Sequence, residues 1–220
     1  MNKKLIILGI LFLAITLFGK LIYFTLHNIQ LDDFHKASVI FILDTSSANQ
    51  NMLKQEEMYI KSLCAILDPE DSVKILKTDE SSYLIFEGTP AETSSMQKAF
   101  DKFTKTASDK TSYGEAIKKS IELSLTMKKN GYTTSVVVVG GLENNGDAAK
   151  QINWETLPEN INKAKEYIPE LTMMFVYAHP QKLDMVKTKL NPILGENKLI
   201  LTNSANIDKA NRRFLQAIGR

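Results

Sequence analysis

Ser38-Val39-Ile40-Phe41-Ile42-Leu43-Asp44-Thr45-Ser46-Ser47-Ala48 opens with an apolar, β-branched run and closes on a cluster of side-chain oxygens. A short apolar run of this kind, bounded by a turn signal, predicts a central strand buried on both faces. Downstream, Met52, Leu53, Glu56, Tyr59, Ile60, Leu63, Ile66 and Leu67 recur mostly at helical spacing. Asp68-Pro69-Glu70-Asp71 breaks that helix. Val73–Leu76 and Tyr83–Phe86 are two strands close enough to form an antiparallel hairpin.

The pattern then alternates. Helices are predicted over Ala91–Thr106 and Tyr113–Lys129, the second stopped by Asn130-Gly131. Val136–Val139 and Leu171–Tyr177 are buried strands, with a helix over Ile161–Tyr167 between them. A short helix over Lys182–Leu190, a short edge strand over Lys198–Leu201 and a closing helix over Ile207–Ile218 complete the chain. Strands alternating with helices call for a three-layer α/β sandwich: a mostly parallel central sheet with one antiparallel edge strand. Ligands on such sheets bind beyond the carboxyl ends of the strands, near the point where strand order reverses.

Upstream of the domain, Met1-Asn2-Lys3-Lys4 is a basic head. Leu5 to Gly19 is apolar apart from Thr16, and after Lys20 the run resumes through Leu26. Residues 5–26 are long enough to cross a hydrocarbon layer of about 30 Å. Residues 1–26 are therefore expected to be a transmembrane signal-anchor in the lipid bilayer, residues 27–36 a linker, and 37–220 the folded domain. Lys20 can reach the headgroups through its long stem, and Tyr23 suits that interface. The N-terminal lysines favour a cytoplasmic N-terminus. The expectation is a single-pass inner-membrane protein with a periplasmic or extracellular domain. A cleaved signal peptide is the rival reading, but Leu17-Phe18-Gly19 and Tyr23-Phe24-Thr25 fit poorly before a cut. With no cysteine after the run, a lipidated anchor is not expected.

Charge narrows the partners. The chain carries 27 Lys and Arg against 25 Asp and Glu. Without Lys3, Lys4 and Lys20, the remainder holds 24 basic and 25 acidic residues, or −1. Such a surface has no field to draw in nucleic acid. Cys64 is the single cysteine, so neither an internal disulfide nor a multi-cysteine metal site is expected. Its place on an apolar helix face marks it as a small core residue.

Asp44 and Ser46, two residues apart on a turn, can aim oxygens at one spot, as hard cations such as Mg²⁺ require. Equally, Ser46, Ser47 or Asn49 can simply cap the next helix. Gly140-Gly141 lacks the G-x-G-x-x-G and G-K-[ST] patterns of phosphate-binding turns. Ser46 and His179 both follow central strands, but no G-x-S-x-G elbow supports a hydrolase. His179 is expected to be an ordinary loop residue, and Asn211-Arg212-Arg213 a solvated face. Trp154 is either a packing anchor or a partner contact.

Four segments in order carry a resemblance. Asp44-Thr45-Ser46-Ser47-Ala48 is similar to a D-x-S-x-S metal-site stretch, and Leu67–Val73 to the turn from first helix to second strand. Thr111-Ser112-Tyr113-Gly114-Glu115-Ala116-Ile117 is similar to a threonine loop opening a helix, and Val136–Gly141 to the next central strand. Over Ala37 to Ile218 the chain resembles a von Willebrand factor type A domain, the fold also used in integrin I domains.

That resemblance implies a non-catalytic module that binds a protein partner at the membrane through a metal-ion-dependent adhesion site. It implies Asp44, Ser46 and Thr111 as ligands of Mg²⁺ or another divalent cation. Ser47, Asn49, Ser112, Tyr113 and Glu143 would face the partner. Two departures are expected to weaken the metal: Ala48 removes a hydroxyl, and Gly141 stands where the family often has a carboxylate. Glu143 or Asp147 could substitute from the next loop. The alternative is a structural subunit of a multi-protein envelope assembly with no metal dependence.

Overall fold

The computed structural model describes residues 36–103, 108–143 and 145–220. The anchor expected over 1–26, and all of the 27–36 linker but Lys36, lie outside them. Among the described residues no helix is long and apolar enough to cross a membrane. Lys36–Arg220 forms one compact unit.

Six strands make a single sheet: β1 (Ala37–Asp44), β2 (Ser72–Thr78), β3 (Ser82–Gly88), β4 (Thr133–Val139), β5 (Thr172–Val176) and β6 (Leu199–Thr202). Their order across the sheet is β3-β2-β1-β4-β5-β6. All neighbours are parallel except β2 and β3, the expected hairpin. The chain runs outward from β1 to β3, then crosses back to β4 on the other side of β1. The reversal therefore falls between β1 and β4, and their carboxyl ends flank it.

Every residue of β1 is buried, because alternate side chains enter two cores. Val39, Phe41 and Leu43 pack beneath α1 (Gln50–Cys64), α2 (Thr93–Phe103) and α6 (Ile207–Ala217). Ile40 and Ile42 face α3 (Tyr113–Lys129), α4 (Leu157–Tyr167) and α5 (Pro180–Leu194). The helices follow from amphipathic spacing: Leu53, Tyr59, Ile60 and Leu63 form the buried stripe of α1, where burying each side chain stabilises by roughly 1.5–3 kcal/mol. Cys64 is buried at the end of that stripe, and burial pushes its thiol up to about 12, as suits an inert core residue. Trp154 packs against the second core, the anchor reading of that residue.

Two helices are longer than the sequence suggested. α4 begins at Leu157 rather than Ile161, with Pro158 in its first turn, where a missing N–H costs nothing. α5 spans Pro180–Leu194 rather than Lys182–Leu190 and carries Pro192 within it. Near a helix end, proline forfeits one hydrogen bond without stopping the last turn.

At the amino ends of the strands, buried Asp71 gathers three donors. Its carboxylate accepts from the Ala37 amide at 2.7 Å, the Asp68 amide at 3.0 Å and the Arg220 guanidinium at 2.6 Å. The start of β1, the turn before β2 and the segment after α6 are tied at one point. Arg220→Ala is expected to cost roughly 2 kcal/mol, the value of a hydrogen bond to a charged group, read as a lower urea midpoint at unchanged m.

Candidate functional site at the strand ends

The loops after β1 and β4 and the turn opening α3 converge where the strand order reverses. Asp44, Ser46 and Thr111, the expected ligands, all come to this end and are 1%, 0% and 2% exposed. Asp44 closes β1 and uses both oxygens inward. Oδ1 accepts from the Ser46 amide at 2.9 Å, and Oδ2 accepts from the Tyr113 hydroxyl at 3.0 Å. Burial raises the Asp44 pKa, opposed by the Ser46 and Tyr113 contacts and reinforced by the negative charge of Glu143.

The Ser46 hydroxyl stands beside the same carboxylate but has no aligned hydrogen-bond partner. Neither Ser46 nor Asn49 caps a helix through its side chain. Thr111 is engaged elsewhere. Its hydroxyl donates to the Glu143 carbonyl at 2.6 Å and accepts from the Asn145 amide at 3.0 Å, clasping the loop after β4.

Tyr113 explains why glycine stands at 140. A Cβ there would lie 2.3 Å from the tyrosine hydroxyl and 2.6 Å from Asp44 Cβ, and Gly140 has φ of +140°. The space that invited comparison with a phosphate-binding turn is taken by a phenol. Gly114 serves a similar need one residue beyond: a Cβ there would sit 2.0 Å from the Gln151 carbonyl oxygen. Two non-glycine residues follow β4 and β5 in left-handed backbone, Leu142 at φ 61° and Tyr177 at φ 65°. Strain of this kind gathers where loops are held in a set shape.

Three residues expected to face a partner do not. Asn49, Ser112 and Tyr113 are buried, because each satisfies an interior polar group. Asn49 donates to the Asp44 carbonyl at 2.9 Å and to Glu56 Oε2 at 2.6 Å. The Ser112 hydroxyl lies 3.2 Å from that of Thr78. Ser47 is exposed, and Glu143 is partly so, its carboxylate 3.4 Å from His179 Nε2. Asp147, considered as a replacement ligand, instead accepts from the Ala149 amide at 2.9 Å and caps a short turn.

Glu56 belongs to this interior although no motif marked it. It is fully buried, and desolvation is the main cause that pushes its pKa up to about 8, with the Asp44 charge adding. The available signal was its position on the apolar stripe of α1.

The donors present do not make a hard-cation site. One carboxylate and one free hydroxyl face each other, Thr111 is committed, and Gly141 brings no charge. Among the described residues no group of three or more His, Cys, Asp or Glu could hold a metal. A cation such as Mg²⁺ also keeps several waters, whereas Asp44 and Ser46 are both buried.

No protein-family model matches the chain, and no curated protein matches it. Solved structures do. A von Willebrand factor type A structure from Catenulispora acidiphila superposes at TM-score 0.59 and 9% identity, covering 84% of this chain and 43% of that one. Proximal thread matrix protein 1 from the mussel byssus, in a form with a zinc-occupied MIDAS motif, gives 0.54 and 15% over 84% and 47%. The conserved hypothetical protein BatB from Bacteroides thetaiotaomicron gives 0.56 and 15% over 82% and 98%. The chain spans less than half the length of the first structures it matches. These likenesses show the fold: a von Willebrand factor type A α/β sandwich.

Proposed function

We propose that this chain is a non-catalytic protein-binding module, held at a membrane by residues 5–26, that offers a partner the rim above β1, β4 and β5. The observation that carries the reading is the contrast between rim and interior. Ser47, Ala48, Gly141, Glu143 and His179 stand at the surface around a sealed network of Asp44, Tyr113, Asn49 and Glu56. Contact with a partner therefore rests on the shape and hydrogen-bonding groups of the rim. The fold supports such a use, since domains of this type commonly serve protein interaction. Lys3 and Lys4 support a cytoplasmic N-terminus, with the domain outside the cytoplasm of a single-pass inner-membrane protein.

The test is a pull-down of the full chain from detergent-solubilised membranes. Glu143→Lys and Ser47→Arg are expected to lose the partner, while Lys129→Glu, at the opposite end of α3, retains it. Loss with Lys129→Glu and retention with both rim variants would sink the rim reading. The closed interior also favours the second reading, a fixed subunit of an envelope assembly. That reading is distinguished by co-purification at constant stoichiometry through stringent washing.

A further inference from the structure

We infer that a side-chain hydroxyl does in this domain what a bound cation does in a metal-dependent one: Tyr113 ties the strand-end loops together, and the domain works without a metal ion. The geometry of the phenol carries the inference. Tyr113 is the first residue of α3 and is completely buried. Its hydroxyl donates to Asp44 Oδ2 at 3.0 Å, and its oxygen lies 3.4 Å from the Leu142 amide as an acceptor. A single group thus bridges the end of β1, the start of α3 and the loop after β4. Those are the three segments that supply Asp44, Thr111 and the loop candidates Glu143 and Asp147.

Four further features belong to the same arrangement. Gly140 supplies the room, since any Cβ would collide with the phenol. Thr111 spends its hydroxyl on the loop backbone, so a second clasp runs beside the first. The Thr111 amide adds a third by donating to the Asn145 carbonyl at 2.6 Å. On the β1 side, the Ser47 amide donates to the Ser108 carbonyl at 2.7 Å. These bonds fix the loops with protein groups alone. The buried Ser46 hydroxyl has no hydrogen-bond partner, and a lone hydroxyl beside one carboxylate falls short of the several oxygens a hard cation takes.

Partner binding at the rim is then insensitive to cations, and the rim is held in one arrangement in their absence. The test uses the purified full chain in detergent, melted with EDTA and with millimolar Mg²⁺, Mn²⁺ or Zn²⁺. A cation present at a hundredfold its dissociation constant raises Tm by roughly 5–10 °C for a domain of this size. The expected result is the same Tm in all four buffers, and an undiminished electron paramagnetic resonance signal of free Mn²⁺ on adding stoichiometric protein. Tyr113→Phe is expected to melt lower by the same margin in EDTA and in each cation. A wild-type Tm that rises with a cation, with the rise erased by Asp44→Asn, overturns the inference. So does loss of the Mn²⁺ signal in proportion to protein, or a Tyr113→Phe variant that melts with the wild type. None of these readings depends on a partner, so the inference can fail while the rim reading stands.

Discussion

Gly140→Ala is expected to destabilise the domain by about 4 kcal/mol. Two costs combine: left-handed backbone that disfavours a side chain, worth roughly 1–3 kcal/mol, and overpacking of a full interior, worth roughly 1–3 kcal/mol. The methyl group would meet the Tyr113 hydroxyl at 2.3 Å and Asp44 Cβ at 2.6 Å. Neither can retreat, since Tyr113 and Asp44 are 0% and 1% exposed. The adjacent glycine is the control. A Cβ on Gly141 would have nothing nearer than His179 at 3.7 Å, so Gly141→Ala should cost less than about 1 kcal/mol. Urea unfolding measures both. In a Tyr113→Phe background the Gly140→Ala cost should shrink, because the nearest colliding atom is gone. A double-mutant cycle with no coupling would exclude that contact.

The second large effect concerns Glu56 and pH. Its pKa lies at about 8 in the folded domain against an ordinary 4.5. The folded state therefore holds the proton more tightly than the unfolded chain. The resulting stability is complete below pH 4.5 and is lost as pH rises through about 8. At about 1.36 kcal/mol per unit, the loss is on the order of 3–5 kcal/mol. Glu56→Gln removes the titration while its amide oxygen still accepts from Asn49. The variant should be slightly less stable than wild type at pH 5, because an amide group is left unpaired, and clearly more stable at pH 9. Denaturant unfolding across that range checks it, and parallel pH profiles would refute the assignment. Desolvation leads the shift, while Asp44 and Glu57 add negative charge nearby. Asp44→Asn should therefore lower the Glu56 pKa without restoring an ordinary value.

The backbone of this fold is written in local pattern. Val39–Leu43 and Val136–Val139 could be little other than strands buried on both faces, and the stripe of α1 fixed which side it turned inward. Asn130-Gly131 stopped α3 where expected. α5 instead runs on past Pro192 to Leu194, because proline is a poor marker of a helix end when the last turn tolerates it. The site was half visible. Asp44, Ser46 and Thr111 came together at the strand ends, since their positions follow from where β1 ends and α3 begins. Their partners could not be read the same way. Tyr113 meets Asp44 across 69 positions of sequence, and Ser112 meets Thr78 across 34. Polar residues in loops suggest a surface, whereas here the two crossovers fold them into the interior. Glu56 left a trace as an acid on an apolar stripe, but its raised pKa comes first from desolvation and then from the Asp44 charge, both supplied by the packed interior.

The central place of β1 bears on how the chain is made. Along one edge it pairs with β2, but along the other Ala37 meets Thr133 and Leu43 meets Val139. During synthesis that second edge stays bare until β4 has emerged, a delay of roughly 5–20 s at ordinary ribosomal speed. Through that interval Val39-Ile40-Phe41-Ile42-Leu43 carries no charge and no proline, the composition most prone to intermolecular pairing. Recovery of folded protein is then governed by how crowded the nascent chains are in those seconds, a kinetic vulnerability that the stability of the finished domain does not reveal.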